Sequence, residues 1–442
     1  MDNAGDCGPG GNPAGALHRH ADVSQRRRVD VAADRNQEGG RLPELRGQVP
    51  MKITGLKTFF VKPRWLFLQV QTDEGIAGWG EPIVEGWAQT VAAAVREMGR
   101  YLVGQDPRRI EHHWQVIYRS GFYRGGPVLT SALSGIEQAL WDIKGKWLGV
   151  PVHEMLGGAV RERVRVYSHL YPRSAELRAE LGLEPGKYVD LLDLPAQAWG
   201  RCARDATDCG FTAIKAGPLG PAETLEGPDY IQQAVSRVEA MRNVVGNDVD
   251  IALDFHGRVG PALARQLIEA LEPYRPLFVE EPCLPENVDA MAEVTRSTNV
   301  PIATGERLFT RWGFREVLEK RAAAVLQPDL SHAGGISEVR KIAAMAESYY
   351  AAIAPHCPLG PISLAAGLQV DACTPNFLCQ EQVSLGQGYL KEPFVAEEGY
   401  IAVPRGPGLG IEVDEEALAE KASDGEWSNP LWWRQDGAFT EW

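Results

Sequence analysis

From residue 51 onward the chain changes hydrophobic period in a regular way. Residues 51–61 and 66–72 are rich in β-branched and aromatic side chains, and Asp73-Glu74-Gly75 follows as a turn signal, so two strands are expected there. Residues 88–102, 110–118 and 129–148 then read as helices, and 131–146 carries apolar residues at helical spacing. This strand-strand-helix block predicts an α+β domain over 51–163.

From about residue 164 short apolar strands alternate with amphipathic helices. Strands are expected at 164–168, 212–215, 251–255, 277–279, 301–304, 323–326, 351–354 and 377–379. Helices fall between most of them, at 261–271, 288–296, 314–320, 337–348 and 363–370. Eight strands with intervening helices predict an α/β fold of the (β/α) barrel type over 164–387. An open doubly wound sheet is the alternative, but no GxGxxG follows the first strand. Past Glu381 the alternation stops. Residues 388–442 are rich in Gly, Pro and Trp, including Leu431-Trp432-Trp433, and are expected to pack on the first domain.

The first fifty residues lack apolar periodicity and are rich in Gly, Pro, Asp and Arg. They read as disordered or as an upstream extension, with Met51 as a plausible start. They contain no apolar core of a signal peptide. A net charge of −14 argues against a phosphate-neutralising surface for nucleic acid. No apolar run reaches the ~18 residues of a membrane span. The seven cysteines show no zinc-type CxxC spacing and read as reduced thiols of a cytoplasmic protein. Cys357, directly after a histidine, admits a nucleophile reading, though the chemistry around it does not need one.

Polar and ionisable residues stand at the ends of six successive strands: Asp254, Glu280, Glu306, Asp329, His356 and Glu381. The intervals are 26, 26, 23, 27 and 25 residues, each about one βα unit, so the side chains should converge at one mouth of the barrel. Three converging carboxylates repel one another and take up protons unless a cation is present. Oxygen donors of this kind favour Mg²⁺, so Asp254, Glu280 and Glu306 are the candidate metal ligands. Asp329 neighbours His356 in the barrel order and would orient that imidazole and raise its basicity. His256, two residues past Asp254, lies about half a turn away. Glu381 could donate a hydrogen bond to a developing enolate if protonated, or bind substrate hydroxyls. His332 reads as structural.

Several of these stretches resemble the enolase superfamily, mandelate racemase subgroup. They are Leu253-Asp254-Phe255-His256-Gly257-Arg258, Val279-Glu280-Glu281-Pro282, Gly305-Glu306-Arg307, Gln327-Pro328-Asp329 and Ala354-Pro355-His356-Cys357. The resemblance runs from Met51 to Trp442 and includes Phe122-Tyr123-Arg124-Gly125-Gly126-Pro127 and Asn429-Pro430-Leu431-Trp432. It implies a (β/α)7β TIM barrel under an N-terminal α+β capping domain completed by the C-terminal segment. It also implies Mg²⁺ on the three carboxylates, His356 with Asp329 as the base, His256 as the acid and Glu381 as enolate stabiliser. Lys215 and Arg124 become candidate substrate-binding residues.

Two departures matter. Racemases of this subgroup carry Lys-x-Lys on the second barrel strand, whereas Lys215-Ala216-Gly217 stands here, and Gly217 cannot abstract a proton. That favours one-sided proton abstraction and loss of water over racemisation. The stretch from Tyr171 to Ala198, with Leu181-Gly182-Leu183-Glu184-Pro185-Gly186, is longer than the resemblance implies and bears on the substrate. The expected protein is a magnesium-dependent acid-sugar dehydratase acting on a small sugar acid, D-galactonate first among them, and forming a homo-oligomer. A racemase, epimerase or cycloisomerase, and a non-catalytic sugar-acid-binding barrel, are the alternatives. A metal-dependent hydrolase wants His-x-His on an early strand, and only His169 is present there.

Overall fold

A computed structural model describes residues 51–184, 189–434 and 436–442; the expectations for residues 1–50 and for Pro185-Gly186 fall outside them. The chain opens with β1 (Ile53–Val61), β2 (Trp65–Thr72) and β3 (Ala77–Gly80), an antiparallel three-stranded sheet. Helices α1 (Ala88–Leu102), α2 (Ile110–Ser120), α3 (Pro127–Leu148) and the short α4 (Val152–Met155) follow. Leu66, Leu68 and Val70 of β2 alternate inward and pack with Ile136, Ala139 and Ile143 of α3. The strand period of two thus meets the helical period across one core.

The segment expected as the first barrel strand divides. Its first half, β4 (Arg163–Arg165), pairs antiparallel with a C-terminal strand, and only β5 (Ser168–His169) lies in the barrel sheet. After α5 (Ala175–Glu180) and α6 (Ala196–Asp208), strands and helices alternate as β6 (Ala213–Ala216), α7 (Pro228–Val245), β7 (Asp250–Asp254), α8 (Pro261–Leu271), β8 (Val279–Glu280) and α9 (Val288–Arg296). They continue as β9 (Ile302–Thr304), α10 (Thr310–Lys320), β10 (Val325–Leu326), α11 (Ile336–Ser348), β11 (Ala352–Ile353) and α12 (Pro361–Ala372). Strands β5 to β11 form one parallel sheet in sequence order. Residues 377–380 close it through parallel bridges Ile353↔Phe377 and Val166↔Gln380. Eight strands with seven crossovers make a (β/α)7β barrel.

The barrel interior explains where the chemistry sits. Tyr167, Ala213, Ala252, Phe278, Ala303, Val325, Ala354 and Cys379, one on or directly beside each strand, form a separate buried cluster. Small alanines on the strands beside Tyr167 and Phe278 fill the interior, and each large side chain contributes about 1.5–3 kcal/mol by leaving water. Two residues further along each strand the next inward side chain emerges at the mouth. Lys215, Asp254, Glu280, His356 and Glu381 all stand at that position, two beyond the cluster member of their own strand.

The capping domain is docked on the loops that carry these residues. Glu137 of α3 accepts from the backbone N–H groups of Ile336 (2.7 Å) and Ser337 (2.9 Å), at the start of α11. Glu81, just past β3, accepts from Gly360 (2.6 Å) and Ser363 (2.9 Å), at the start of α12. Both carboxylates are buried and satisfy orphan donors of a barrel helix. Burial pushes Glu81 up to about 8 and Glu137 up to about 7, against those N–H donors.

The C-terminal segment pairs with two earlier strands. β12 (Ala396–Glu397) and β13 (Tyr400–Ala402) form a sheet with β4. Past α13 (Glu415–Glu420) the chain bridges to β1 at Val61↔Ala422. Its end departs from the expectation. The hairpin β14 (Trp432–Trp433) and β15 (Phe439–Thr440) sits on the barrel, where Thr440 Oγ1 donates to Ala222 O at 2.7 Å. Among the described residues no helix is long and apolar enough to cross a membrane.

Candidate active site

Asp254, Glu280 and Glu306 each offer a carboxylate oxygen, and the three lie within 4.8 Å of one another. Asp254 and Glu280 arrive by simple alternation. Glu306 is one residue out of that register, and Gly305, at φ +148°, makes the adjustment. A Cβ on Gly305 would lie 2.7 Å from the Gln327 nitrogen, so the bend requires glycine.

Lys215 is 3% exposed and its ammonium is enclosed by carboxylates, 3.1 Å from Asp254 Oδ2, 2.6 Å from Glu280 Oε2 and 3.0 Å from Glu381 Oε1. One ammonium does not neutralise four carboxylates. Burial, followed by the neighbouring Asp254 charge, pushes Glu280 well above the usual carboxylate range. For Asp254 burial acts in the same sense, but His256 and Lys215 outweigh it and hold the group well below that range. Glu280 Oε1 is buried without a hydrogen-bond partner. A hard oxygen cluster with a surplus of negative charge and an unpartnered oxygen fits a divalent cation such as Mg²⁺.

His356 pairs with Asp329 through Nδ1 to Oδ2 at 2.8 Å, and Asp329 also accepts from Ser331 N at 2.6 Å. With Nδ1–H given to the carboxylate, Nε2 faces the acidic cluster, 3.3 Å from Glu306 and 3.8 Å from Glu381. Burial disfavours the imidazolium, but Glu381, Glu306 and Asp329 outweigh it and raise His356 well above its ordinary range. Half a barrel turn away, His256 stands at φ +50°. Its Nε2 lies 3.0 Å from Asp254 Oδ2, and Arg258 donates to its Nδ1 at 2.9 Å. The two imidazoles therefore flank the carboxylates from opposite sides.

Three candidate residues stand in surroundings other than those expected. Glu381 stands as a hydrogen-bond acceptor. Its oxygens accept from His169 Nε2 (2.5 Å), Lys215 (3.0 Å) and Cys357 N (2.7 Å). Burial opposes its ionisation, but Lys215, His356 and His169 prevail and hold it well below the carboxylate range. Lys215 is paired with Asp254, Glu280 and Glu381. Arg124 is exposed, in the loop before α3, and lines a cavity of about 260 Å³ with Tyr101, Tyr118 and Tyr123 rather than joining the cluster. Cys357 is buried, and burial pushes its thiol well above its ordinary range, which removes the nucleophile reading. His332 is tied to Ser131 of the capping domain at 2.9 Å, a structural role.

Sequence reasoning missed His169. It sits two residues past Tyr167, the same offset that places Lys215 past Ala213 and Glu381 past Cys379, so the alternation itself was the available signal. The described residues of the stretch 171–198, 171–184 and 189–198, follow the C-terminal end of β5. Arg173 anchors it, donating to Ser168 Oγ at 3.0 Å, with Leu177 buried.

Two family profiles cover most of the chain. "Mandelate racemase / muconate lactonizing enzyme, N-terminal domain" matches residues 43–157, and "Enolase C-terminal domain-like" matches 198–417. A D-galactonate dehydratase of Ralstonia nicotianae is 49% identical over 405 residues, 89% of this chain and all of that protein. One of Cronobacter sakazakii is 46% identical over 405 residues, with the same shares. Among solved structures, a mandelate racemase/muconate lactonizing enzyme from Jannaschia superposes with a TM-score of 0.77 at 33% identity, covering 84% of this chain and 98% of that one. A member of the enolase superfamily from Salmonella Typhimurium gives the same four values. Agreement of this extent in both domains places the chain in the mandelate racemase / muconate lactonizing enzyme family, the mandelate racemase subgroup of the enolase superfamily.

Proposed function

We propose that this protein is a magnesium-dependent hydro-lyase that dehydrates D-galactonate to a 2-keto-3-deoxy sugar acid. The observation that carries the reading is the opposed pair of imidazoles, His356 at 3.3 Å from Glu306 and His256 at 3.0 Å from Asp254, on either side of the carboxylate cluster. The identity to D-galactonate dehydratases across the full length of those relatives supports the substrate.

A C–H bond beside a carboxylate is very weakly acidic, and its loss builds up charge on the carboxylate oxygens. Mg²⁺ held by Asp254, Glu280 and Glu306 would supply the positive charge that stabilises this enediolate. His356 takes the C2 proton at Nε2, the nitrogen left basic by the Nδ1–H given to Asp329. His256, whose Nδ1 accepts from Arg258, would deliver the proton on Nε2 to the C3 hydroxyl, which leaves as water, and the enol then gains a proton at C3 to become the ketone. Glu381 positions Lys215, His169 and the backbone after His356. Gly217 offers no second base, which favours elimination over racemisation. The described cysteines are all free and five of the six are buried, which supports a reducing, cytoplasmic setting.

The test is a screen of aldonic and aldaric acids with Mg²⁺ for 2-keto product. D-Galactonate is expected to give the highest kcat/KM. Exchange of the C2 hydrogen with no keto product from any acid would replace the reading with a racemase or epimerase.

A further inference from the structure

His256 sits in a backbone conformation that few L-residues adopt, at φ +50°, and its side chain is 33% exposed. Its ring direction is therefore set by its neighbours. One is Asp254. The other two lead to the far end of the chain.

Arg258 is the first of these. Its guanidinium donates to Leu219 O at 2.6 Å and to His256 Nδ1 at 2.9 Å. The same guanidinium lies over the ring of Trp432 on β14, 4.4 Å from the centroid. Stacking of this kind fixes the guanidinium plane. Trp442 is the second neighbour, its ring centroid 6.0 Å from that of His256. Trp442 is in turn backed by Trp427 at 6.5 Å, and Trp427 lies beneath Arg64 of the capping domain at 5.0 Å. The buried bond from Thr440 to Ala222 seats the whole hairpin. The partners of His356 are Asp329, Glu306 and Glu381, none of them on this segment.

We infer that Trp432, acting through Arg258, and Trp442, acting directly, are positioning residues for His256, so that the C-terminal hairpin governs the water-loss half of the reaction. Deprotonation at C2 is served from the opposite side and does not depend on it. The inference rests on the acid role given to His256 above.

The full chain is assayed in D2O with Mg²⁺ and D-galactonate, reading deuterium at C2 of recovered substrate and 2-keto product together. H256N is the reference and is expected to keep exchange and lose dehydration. W432A, W442A and R258K are expected to shift the ratio of exchange to dehydration at least tenfold toward exchange. W432Y, which keeps a ring for the guanidinium, restores the ratio. An unchanged ratio, or an equal fall in both activities, would overturn the inference, because a purely structural role moves both together. If W432A does not fold, W442A and R258K carry the same test. Should H256N itself lose both activities or neither, the acid assignment fails and takes the inference with it. Should H256N behave as stated while the hairpin variants match wild type, the inference alone fails.

Discussion

Glu81 ties the capping domain to the loop that follows the catalytic imidazole, and replacing it with glutamine tests that tie through pH. The carboxylate is fully buried and accepts from Gly360 and Ser363. Burial raises it to about 8 from an ordinary value of 4.5. In the unfolded chain the group loses its proton near pH 4.5, whereas the folded protein keeps it to about 8. Between those values the native state holds the extra proton, so this contribution to stability is complete below pH 4.5 and is lost as pH rises to about 8. The slope is about 1.4 kcal/mol per pH unit. Glutamine does not titrate, and it replaces one acceptor oxygen with an amide that faces an N–H, a constant penalty of about 1–3 kcal/mol. The stability of wild type relative to E81Q should therefore fall by about 3 kcal/mol from pH 5.5 to 7.5, reaching or crossing zero, and level off above pH 8. Urea unfolding at pH 5.5, 6.5, 7.5 and 8.5 measures it. Glu137 titrates in both proteins and cancels. A stability of wild type relative to E81Q that stays flat or rises with pH would refute the assignment of a raised, buried carboxyl at this position.

The other predictions concern the site. H356N should abolish both C2 deuterium exchange and dehydration, a fall of at least about 10²–10⁴-fold, and persistent exchange would show the base to be elsewhere. Exhaustive chelation should remove activity and added Mg²⁺ restore it; turnover that survives chelation would sink the metal assignment. K215M removes the ammonium from among Asp254, Glu280 and Glu381 and should cost about 3–5 kcal/mol without Mg²⁺, with most of it recovered in excess Mg²⁺. Thermal melts with and without the ion decide this, and an unchanged metal-free Tm would count against it.

Much of the barrel was legible because its signal is local and repeated. The spacing of Asp254, Glu280 and Glu306 follows from the length of one βα unit, and the metal cluster follows from the spacing. The pairing of Asp329 with His356 needed only the order of the strands. What the residues did next was not legible. Whether Glu381 carries a proton depends on His169 and Lys215, more than 160 positions away in sequence. Arg124 shares a motif with the family, but its loop position leaves it exposed rather than at the cluster. The hairpin escaped for the same reason, since a tryptophan-rich tail shows that it packs but not against what. Arg258 and Trp432 stand 174 residues apart, and nothing in either stretch names the other.

The interior layer of the barrel has a consequence for how such a protein acquires new chemistry. Stability is vested in one tier of side chains and reactivity in the tier above it, and the two never share a position. Each strand offers a single writable site directly over a fixed foundation. An exchange of Lys215, His169 or Glu381 for another side chain rewrites what the mouth can bind or deprotonate, while Ala213, Tyr167 and Cys379 beneath them keep the cylinder filled. A reaction can therefore drift one address at a time, and Gly217, a blank just past the end of β6, is where a second base could be written back.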